Sequence, residues 1–543
     1  MNPRSESSRR DPLAALRATV TGAAAEVAGA DTPPAGVALE RPRKVEHGDF
    51  ATNAAMICAP IARDNPRNVA EKLAAILGEQ LGDALVAADV AGPGFLNLRL
   101  ADGWYAQALT QLLADDSFGG GVAHPAERIN VEFPSANPTG PMHIGHGRNA
   151  AYGDSLCRVL AFAGNTVTRE YYSNDFGTQV ERFGASIAAR AKGEPVPEDG
   201  YQGEYIDAIA QTIPGAAELA PDELIAVAVA QMLERIGATL ERMGVAIDVW
   251  FSEKTLHDDD RFEAALDALR AAGHVYEHED ALWLRTTDFG DDKDRVLRRS
   301  SGDYTYFATD IAYHADKRER GFERLIDVWG ADHHGYIQRM KAAYAALGGD
   351  PDEFEPIIMQ LVNLTEGGAR VQMSKRTGEF VTVDDLIDDI GADALRFFMV
   401  QRSHDTTMDL DLALAREQSD KNPVYYVQYA HARINSILEK AGLGEATEVP
   451  AAPHELHESE RALIRRLAEF PDEISETCVR RAPHRLTIYG RDLAAEFSAF
   501  YRDCKVVGEE PGVTAFRVAL CVATKRLLAR TLDLLGVSAP ERM

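Results

Sequence analysis

Ser135-Ala136-Asn137-Pro138-Thr139-Gly140-Pro141-Met142-His143-Ile144-Gly145-His146-Gly147-Arg148 decides the fold of this chain. The residues before it, Ile129 to Phe133, alternate apolar and polar as a strand does, and those from Arg148 to Phe162 carry apolar residues at helical spacing up to a stop at Gly164. The stretch is therefore a strand-to-helix turn. At the carboxyl edge of a parallel sheet such a turn offers an anion backbone N–H groups and the positive end of a helix dipole. His143 and His146 stand there as donors to phosphate oxygens, while Gly140, Gly145 and Gly147 let a nucleotide lie close against the backbone.

Outward from this turn the pattern is α/β. Thr166 to Tyr172 returns as a strand, which completes a βαβ unit and fixes a parallel sheet. A helical, acidic stretch over about 180–245 and a second segment over about 255–300 read as insertions. The sheet resumes at Leu325 to Trp329, which runs into Gly330-Ala331-Asp332-His333-His334-Gly335, and Ile357 to Leu364 is one further strand. From Asp384 onward the periodicity is helical with no strand, in segments near 392–401, 413–441, 456–469, 483–504 and 513–535. Ahead of the turn, a helix capped by Asp11 and Pro12, a helix over Asn68 to Leu81 and a strand over Phe95 to Leu100 make a small α/β unit, closed by Gly119-Gly120-Gly121. The expected fold is a Rossmann-type parallel-sheet domain over 122–390, between an N-terminal α/β domain over 1–115 and a C-terminal all-α bundle over 391–543.

The composition, 45% hydrophobic and 26% charged, is that of a globular protein, and no run of 18 apolar residues could span a membrane. Met1 to Arg10 is polar and lacks the apolar core of a signal peptide, so a cytoplasmic location is expected. A formal charge of −28 excludes a generally basic nucleic-acid coat. The acid load is uneven, however: from Arg461 onward basic residues outnumber acidic ones, and a polyanion could dock there. Cys58, Cys157, Cys478, Cys504 and Cys521 are scattered without zinc-ligand spacing and read as reduced, mostly buried thiols. His333-His334 lacks a third ligand at sensible spacing, so no protein-bound metal is expected.

A second loop, Glu366 to Gly378, holds Met373-Ser374-Lys375-Arg376 between glycines. A point-charge lysine, an arginine and a hydroxyl on such a loop can close over a triphosphate. His143-Ile144-Gly145-His146 matches the HIGH signature of class I aminoacyl-tRNA synthetases and related nucleotidyltransferases, and Met373 to Arg376 resembles their KMSKR signature in the right order. One residue departs: Gln372 stands where the signature has its first lysine, and Thr139 to Met142 holds no lysine to compensate. The resemblance therefore implies catalysis by His143, His146 and Lys375. Arg148 and Arg376 are helpers, and Gly140, Pro141, Gly145, Met373 and Ser374 complete the ATP-binding set.

Several stretches resemble arginyl-tRNA synthetases of the bacterial type: Tyr172 to Gln179, Trp250 to Glu253, Tyr304 to Tyr313, Trp329 to Tyr336, and Gly391 to Phe397 with its Asp-Ala-Leu-Arg. A guanidinium is planar, permanently charged and carries five donors, so its pocket wants several acceptors and an aromatic wall. The resemblance places Asn137 at the α-amino or carboxylate end of an arginine, Glu253 and Asp310 near its charged ends, and Tyr306 against its side chain. Tyr306 and Asp310 share one face if their segment is helical. Asp332 and His333 join the arginine set or line the adenosine pocket. It further implies that Phe50 and Asn53 touch the tRNA elbow, while Tyr425, Tyr429, Arg433 and Arg481 serve the anticodon loop. The activity so implied is ATP-dependent formation of arginyl-adenylate and its transfer to tRNA(Arg), with Mg²⁺ accompanying ATP and the enzyme working as a monomer away from membranes. A different HIGH-type adenylyltransferase and a tRNA-binding paralogue without catalysis are the competing readings; Gln372 is the one hint of the latter.

Overall fold

A computed structural model describes residues 11–42, 44–258, 261–370, 381–442 and 451–543, the side chain of Val45 excepted. At its centre lies a five-stranded sheet in the order Phe354–Met359, Arg324–Gly330, Arg128–Glu132, Thr166–Ser173, Val249–Ser252, with every neighbouring pair parallel. Its strands bury Ile129, Val131, Leu325, Ile326, Val328, Ile357 and Ile358, as a sheet covered on both faces requires. The helix Ile144–Phe162 follows the first central strand. It lies so close to the strand end that a Cβ on Gly153 would stand 2.2 Å from the Phe133 ring, and only glycine fits. Tyr306–Glu319 is helical, so Tyr306 and Asp310 do share a face.

Three details of the expected pattern are corrected. The single strand over Ile357 to Leu364 is two, since the chain leaves the central sheet after Met359 and Val362–Glu366 enters another. There it pairs in parallel with Met408–Asp411, a strand in the region expected to have none; four residues are too few for a periodicity to register. In the bundle, Phe470–Val479 is an additional helix, and Leu412–Arg416 is separate from Pro423–Ala441, which Asn422 caps and Pro423 begins.

The N-terminal unit is a four-stranded sheet, Leu39–Glu40, Phe50–Thr52, Phe95–Leu100 and Leu85–Ala91, antiparallel throughout and packed with the helices Pro12–Ala28, Ala54–Ala62 and Pro66–Leu81. The region 180–245 carries the helices Thr178–Ala191, Glu204–Thr212 and Pro221–Arg242, and the region 255–300 carries a small antiparallel sheet, Val275–His278, Ala281–Leu284 and Arg295–Arg298.

Buried charges tie these parts together. Arg396, the arginine of Asp-Ala-Leu-Arg, donates to Asp154 of the motif helix at 2.6 Å, to Met243 O at 2.9 Å and to Leu535 O at 3.0 Å. Gly536 leaves room for it, because a Cβ there would fall 2.0 Å from the guanidinium. Arg465 reaches Asp49 at 2.7 Å and the Tyr105 hydroxyl at 3.0 Å, bracing the bundle against the N-terminal unit. Under the central sheet, Lys317 donates to Glu132 and Asp327 at 2.8 Å each, His314 contacts Asp327 at 2.9 Å, and Arg320 forks onto Glu170 at 2.6 and 2.8 Å. Burial alone would raise Asp327 and Glu170, but Lys317 and then His314 outweigh it on Asp327, and the Arg320 fork and then Lys317 outweigh it on Glu170, holding both below their usual range. Glu132 is the acid left over in this belt, and burial pushes it up.

Candidate active site

His143 caps the helix Ile144–Phe162, its Nδ1 accepting the Gly145 N–H at 3.1 Å, which leaves Nε2 as the protonated nitrogen of the neutral ring. His146 stacks on it, ring centroids 3.7 Å apart and planes 21° from parallel. Burial, and then the neighbouring His143, push the pKa of His146 down to about 3, so this ring is a neutral hydrogen-bonding group at pH 7. Its Nδ1 is buried with no partner among the described residues, a donor or acceptor held ready for a ligand. The backbone beside the pair is fixed from downstream: Val383 N–H donates to Met142 O at 2.9 Å, and Thr382 bridges His143. Residues 382–383 thus dock on the histidine motif directly after residues 371–380. Gln372, Met373, Ser374, Lys375 and Arg376 lie outside the described residues.

Arg148 is a correction. It is 1% exposed and donates to Gln360 O at 2.6 Å and Ser403 O at 2.9 Å, so its guanidinium is spent on backbone carbonyls and is no phosphate ligand. Gly140 lies against Tyr205, whose hydroxyl donates to Thr139 O at 3.1 Å, and Pro141 is buried beneath the turn. Asn137 is exposed on the loop that precedes it.

On the neighbouring strand ends lies an acidic pocket. Glu253, 3% exposed, follows the strand Val249–Ser252, and the Tyr172 hydroxyl is near enough to act on its ionisation. With its amide nitrogen turned toward acceptors, Asn174 donates to Glu253 Oε2 at 3.0 Å. Burial raises Glu253 to about 7; the Tyr172 hydrogen bond lowers it, and the charges of Asp310 and Asp175 raise it. Asp310 is likewise raised by burial, against a hydrogen bond from the Tyr336 hydroxyl. No ion pair reaches Glu253 or Asp310 among the described residues. A carboxyl raised by burial and by the charge of a second one, with no cation paired to either among the described residues, marks a place that lacks a positive charge. Tyr306, 58% exposed, stands one helical turn before Asp310, while Asp332 and His333 are exposed on the turn Ala331–Tyr336, His333 beside Trp329 and Tyr336. Sequence reasoning named the stretches of Tyr172, Asn174 and Tyr336 without singling out these side chains as partners of the acids.

The bundle presents a cleft of about 400 Å³ lined by Asp420, Tyr425, Tyr426, Tyr429, Ala430, Arg433, Phe497 and Ser498. Tyr425 and Tyr429 stack 6.1 Å apart and 10° from parallel, and Arg433 lies 5.9 Å from the Tyr429 ring and 4.5 Å from that of Tyr501. An aromatic pair topped by guanidinium suits unpaired bases. Three arginines of this region are engaged internally: Arg461 with Asp102, Arg466 with Glu469 and Asp492, Arg485 with Glu473. Arg481 belongs with them, correcting its assignment to tRNA, since it forks onto Glu355 at 2.8 and 3.1 Å while its carbonyl accepts from Tyr152. Phe50 is corrected too, being 4% exposed and edge-on to Trp104, so its ring is core. Asn53 accepts from Ala38 N–H at 2.8 Å and donates to Gly36 O at 3.0 Å, shaping a loop.

Three family models cover nearly all of the chain: the arginyl tRNA synthetase N terminal domain over 14–100, the catalytic domain of class I (R) tRNA synthetases over 108–197 and 220–437, and the DALR anticodon binding domain over 427–543. An arginine–tRNA ligase of Heliobacterium modesticaldum is 45% identical over 99% of both chains, and one of Frankia alni is 48% identical over 94% of this chain and 96% of its own. Among solved structures, the Thermus thermophilus arginyl-tRNA synthetase superposes with a TM-score of 0.78 at 25% identity, covering 97% of this chain and 99% of the other.

Proposed function

The chain belongs to the class I arginyl-tRNA synthetases, and from that premise we propose how its residues divide the work. Its reaction is ATP-dependent activation of L-arginine followed by transfer of the arginyl group to tRNA. ATP, taken as its Mg²⁺ complex, lies along the turn Gly140 to His146, with Met373, Ser374, Lys375 and Arg376 over its phosphates. The arginine carboxylate attacks the α-phosphate in line, and pyrophosphate leaves. Donors from His143, His146 and Lys375 stabilise the charge that develops on the phosphates. The mixed anhydride then loses its arginyl group to a hydroxyl of the terminal ribose of tRNA, without a covalent enzyme intermediate.

One observation carries the amino-acid assignment: Glu253, 3% exposed, and Asp310, whose charge raises it, have no cation paired to them among the described residues. A guanidinium supplies the missing charge and enough donors for both carboxylates. Tyr306 covers its alkyl stem, Asn137 holds the α-amino or carboxylate end, and Asp332 and His333 edge the pocket. Tyr425, Tyr429 and Arg433 stack bases of the anticodon loop, and Asn53 meets the tRNA elbow with the unit 1–115. The sheet domain 122–390 carries the chemistry and the bundle 391–543 the anticodon. The enzyme acts as a cytoplasmic monomer, a state that size-exclusion chromatography with light scattering checks. The test of the assignment is charging of total tRNA with ATP and each of the twenty amino acids in turn. Arginine alone gives charged tRNA; charging with another amino acid, or with none, overturns it.

A further inference from the structure

We propose that Tyr172 and Tyr336 are positioning residues for amino-acid recognition, each donating its hydroxyl to one pocket carboxyl and so fixing which oxygens remain for the guanidinium. The inference rests on the reading of Glu253 and Asp310 as the arginine pocket. The two tyrosines come from different elements, each beside a different acid. Tyr172, on the strand Thr166–Ser173, is wedged between Tyr313 at 4.5 Å and Phe251 at 6.1 Å, and its hydroxyl acts on Glu253. Tyr336, on the turn Ala331–Tyr336, packs against Phe307, Trp329 and Arg339 and donates to Asp310 Oδ2.

A carboxylate has lone pairs for several donors but can rotate, and a bidentate guanidinium needs its oxygens presented in one plane. A rigid aromatic lever with a single donor fixes that plane at small entropic cost. The donor is also neutral. A lysine or arginine in its place would orient the acid equally well but would cancel the charge meant for the substrate. The groups facing Glu253 are Tyr172, Asn174, Asp175 and Asp310; those facing Asp310 are Tyr336, His314, His333 and Asp327. In each set the tyrosine hydrogen bond favours the ionised acid against burial. Loss of the hydroxyl therefore shifts acid ionisation, and with it arginine binding, to higher pH.

The test is aminoacylation by Tyr172→Phe and Tyr336→Phe, each at saturating ATP and tRNA, with KM for arginine followed over pH and Glu253→Gln as reference. Each tyrosine variant is expected to raise KM about tenfold near pH 7, with kcat within about twofold, and the defect is expected to shrink toward pH 9. An unchanged KM, or an increase equal at every pH, overturns the proposal, the latter because lost packing has no proton dependence. If Glu253→Gln itself leaves KM unchanged, the pocket reading fails; if it raises KM while the tyrosine variants do not, this inference alone fails. Each substitution deletes one oxygen, and the two variants test the claim independently.

Discussion

Two regions of this molecule concentrate buried charge, and they treat it in opposite ways. In the belt under the sheet, Lys317 and Arg320 lie within hydrogen-bond reach of Glu132, Glu170 and Asp327, and two of those three acids are held below their usual range. In the acidic site, Glu253 and Asp310 meet tyrosine hydroxyls and an amide but, among the described residues, no paired cation, and both are pushed up. The belt is complete as folded, whereas the pocket is completed by what it binds. Burial is common to both, so the balance of partners, not burial, separates scaffold from site.

The largest expected effect breaks the belt. Lys317→Met strands two buried carboxyls and lowers the unfolding free energy by about 3–5 kcal/mol, read by denaturant titration. An equal loss from Glu253→Gln would erase the contrast. That substitution acts on function instead, lowering kcat/KM for arginine by about two to three orders of magnitude, the range for truncating one partner of a desolvated charge pair. Its effect on stability has the opposite sign. Glu253 is raised from 4.5 to about 7 in the fold, so it costs stability as pH rises through that window, and Glu253→Gln relieves the cost. The thermal midpoint of the variant relative to the parent is expected to climb between about pH 5 and about pH 8. Asp327 and Glu170, being depressed, give stability above the ordinary carboxylate range and lose it as pH falls through their lowered values. The smallest effect sharpens the comparison at its edge: Arg481→Ala removes a partly buried pair with Glu355, costs about 1–2 kcal/mol, and leaves KM for tRNA unchanged.

The same contrast explains what the sequence could and could not say. The strand-turn-helix around His143 and the parallel sheet were legible because each strand and helix writes its own period. The short strand Met408–Asp411 was not, being four residues whose partner lies over forty positions earlier. Arg148, Arg481 and Phe50 carry residue types that fit a ligand, but only the fold shows that carbonyls, Glu355 and the core have claimed them. Conversely, Glu253 and Asp310 were visible as candidates, while what gives them meaning, that no cation among the described residues is paired with them, exists only in three dimensions.

Proton release on arginine binding tests the central claim most directly. With its pKa pushed up to about 7, Glu253 is partly protonated at pH 7, so a guanidinium that enters beside it expels a fraction of a proton. Titration calorimetry of the whole chain with arginine in buffers of different ionisation enthalpy should show that release at pH 7, fading above about pH 8.5, and much reduced in Glu253→Gln. Arginine binding with no proton release, or with the same release in the variant, would contradict a pocket that waits for its charge from the substrate.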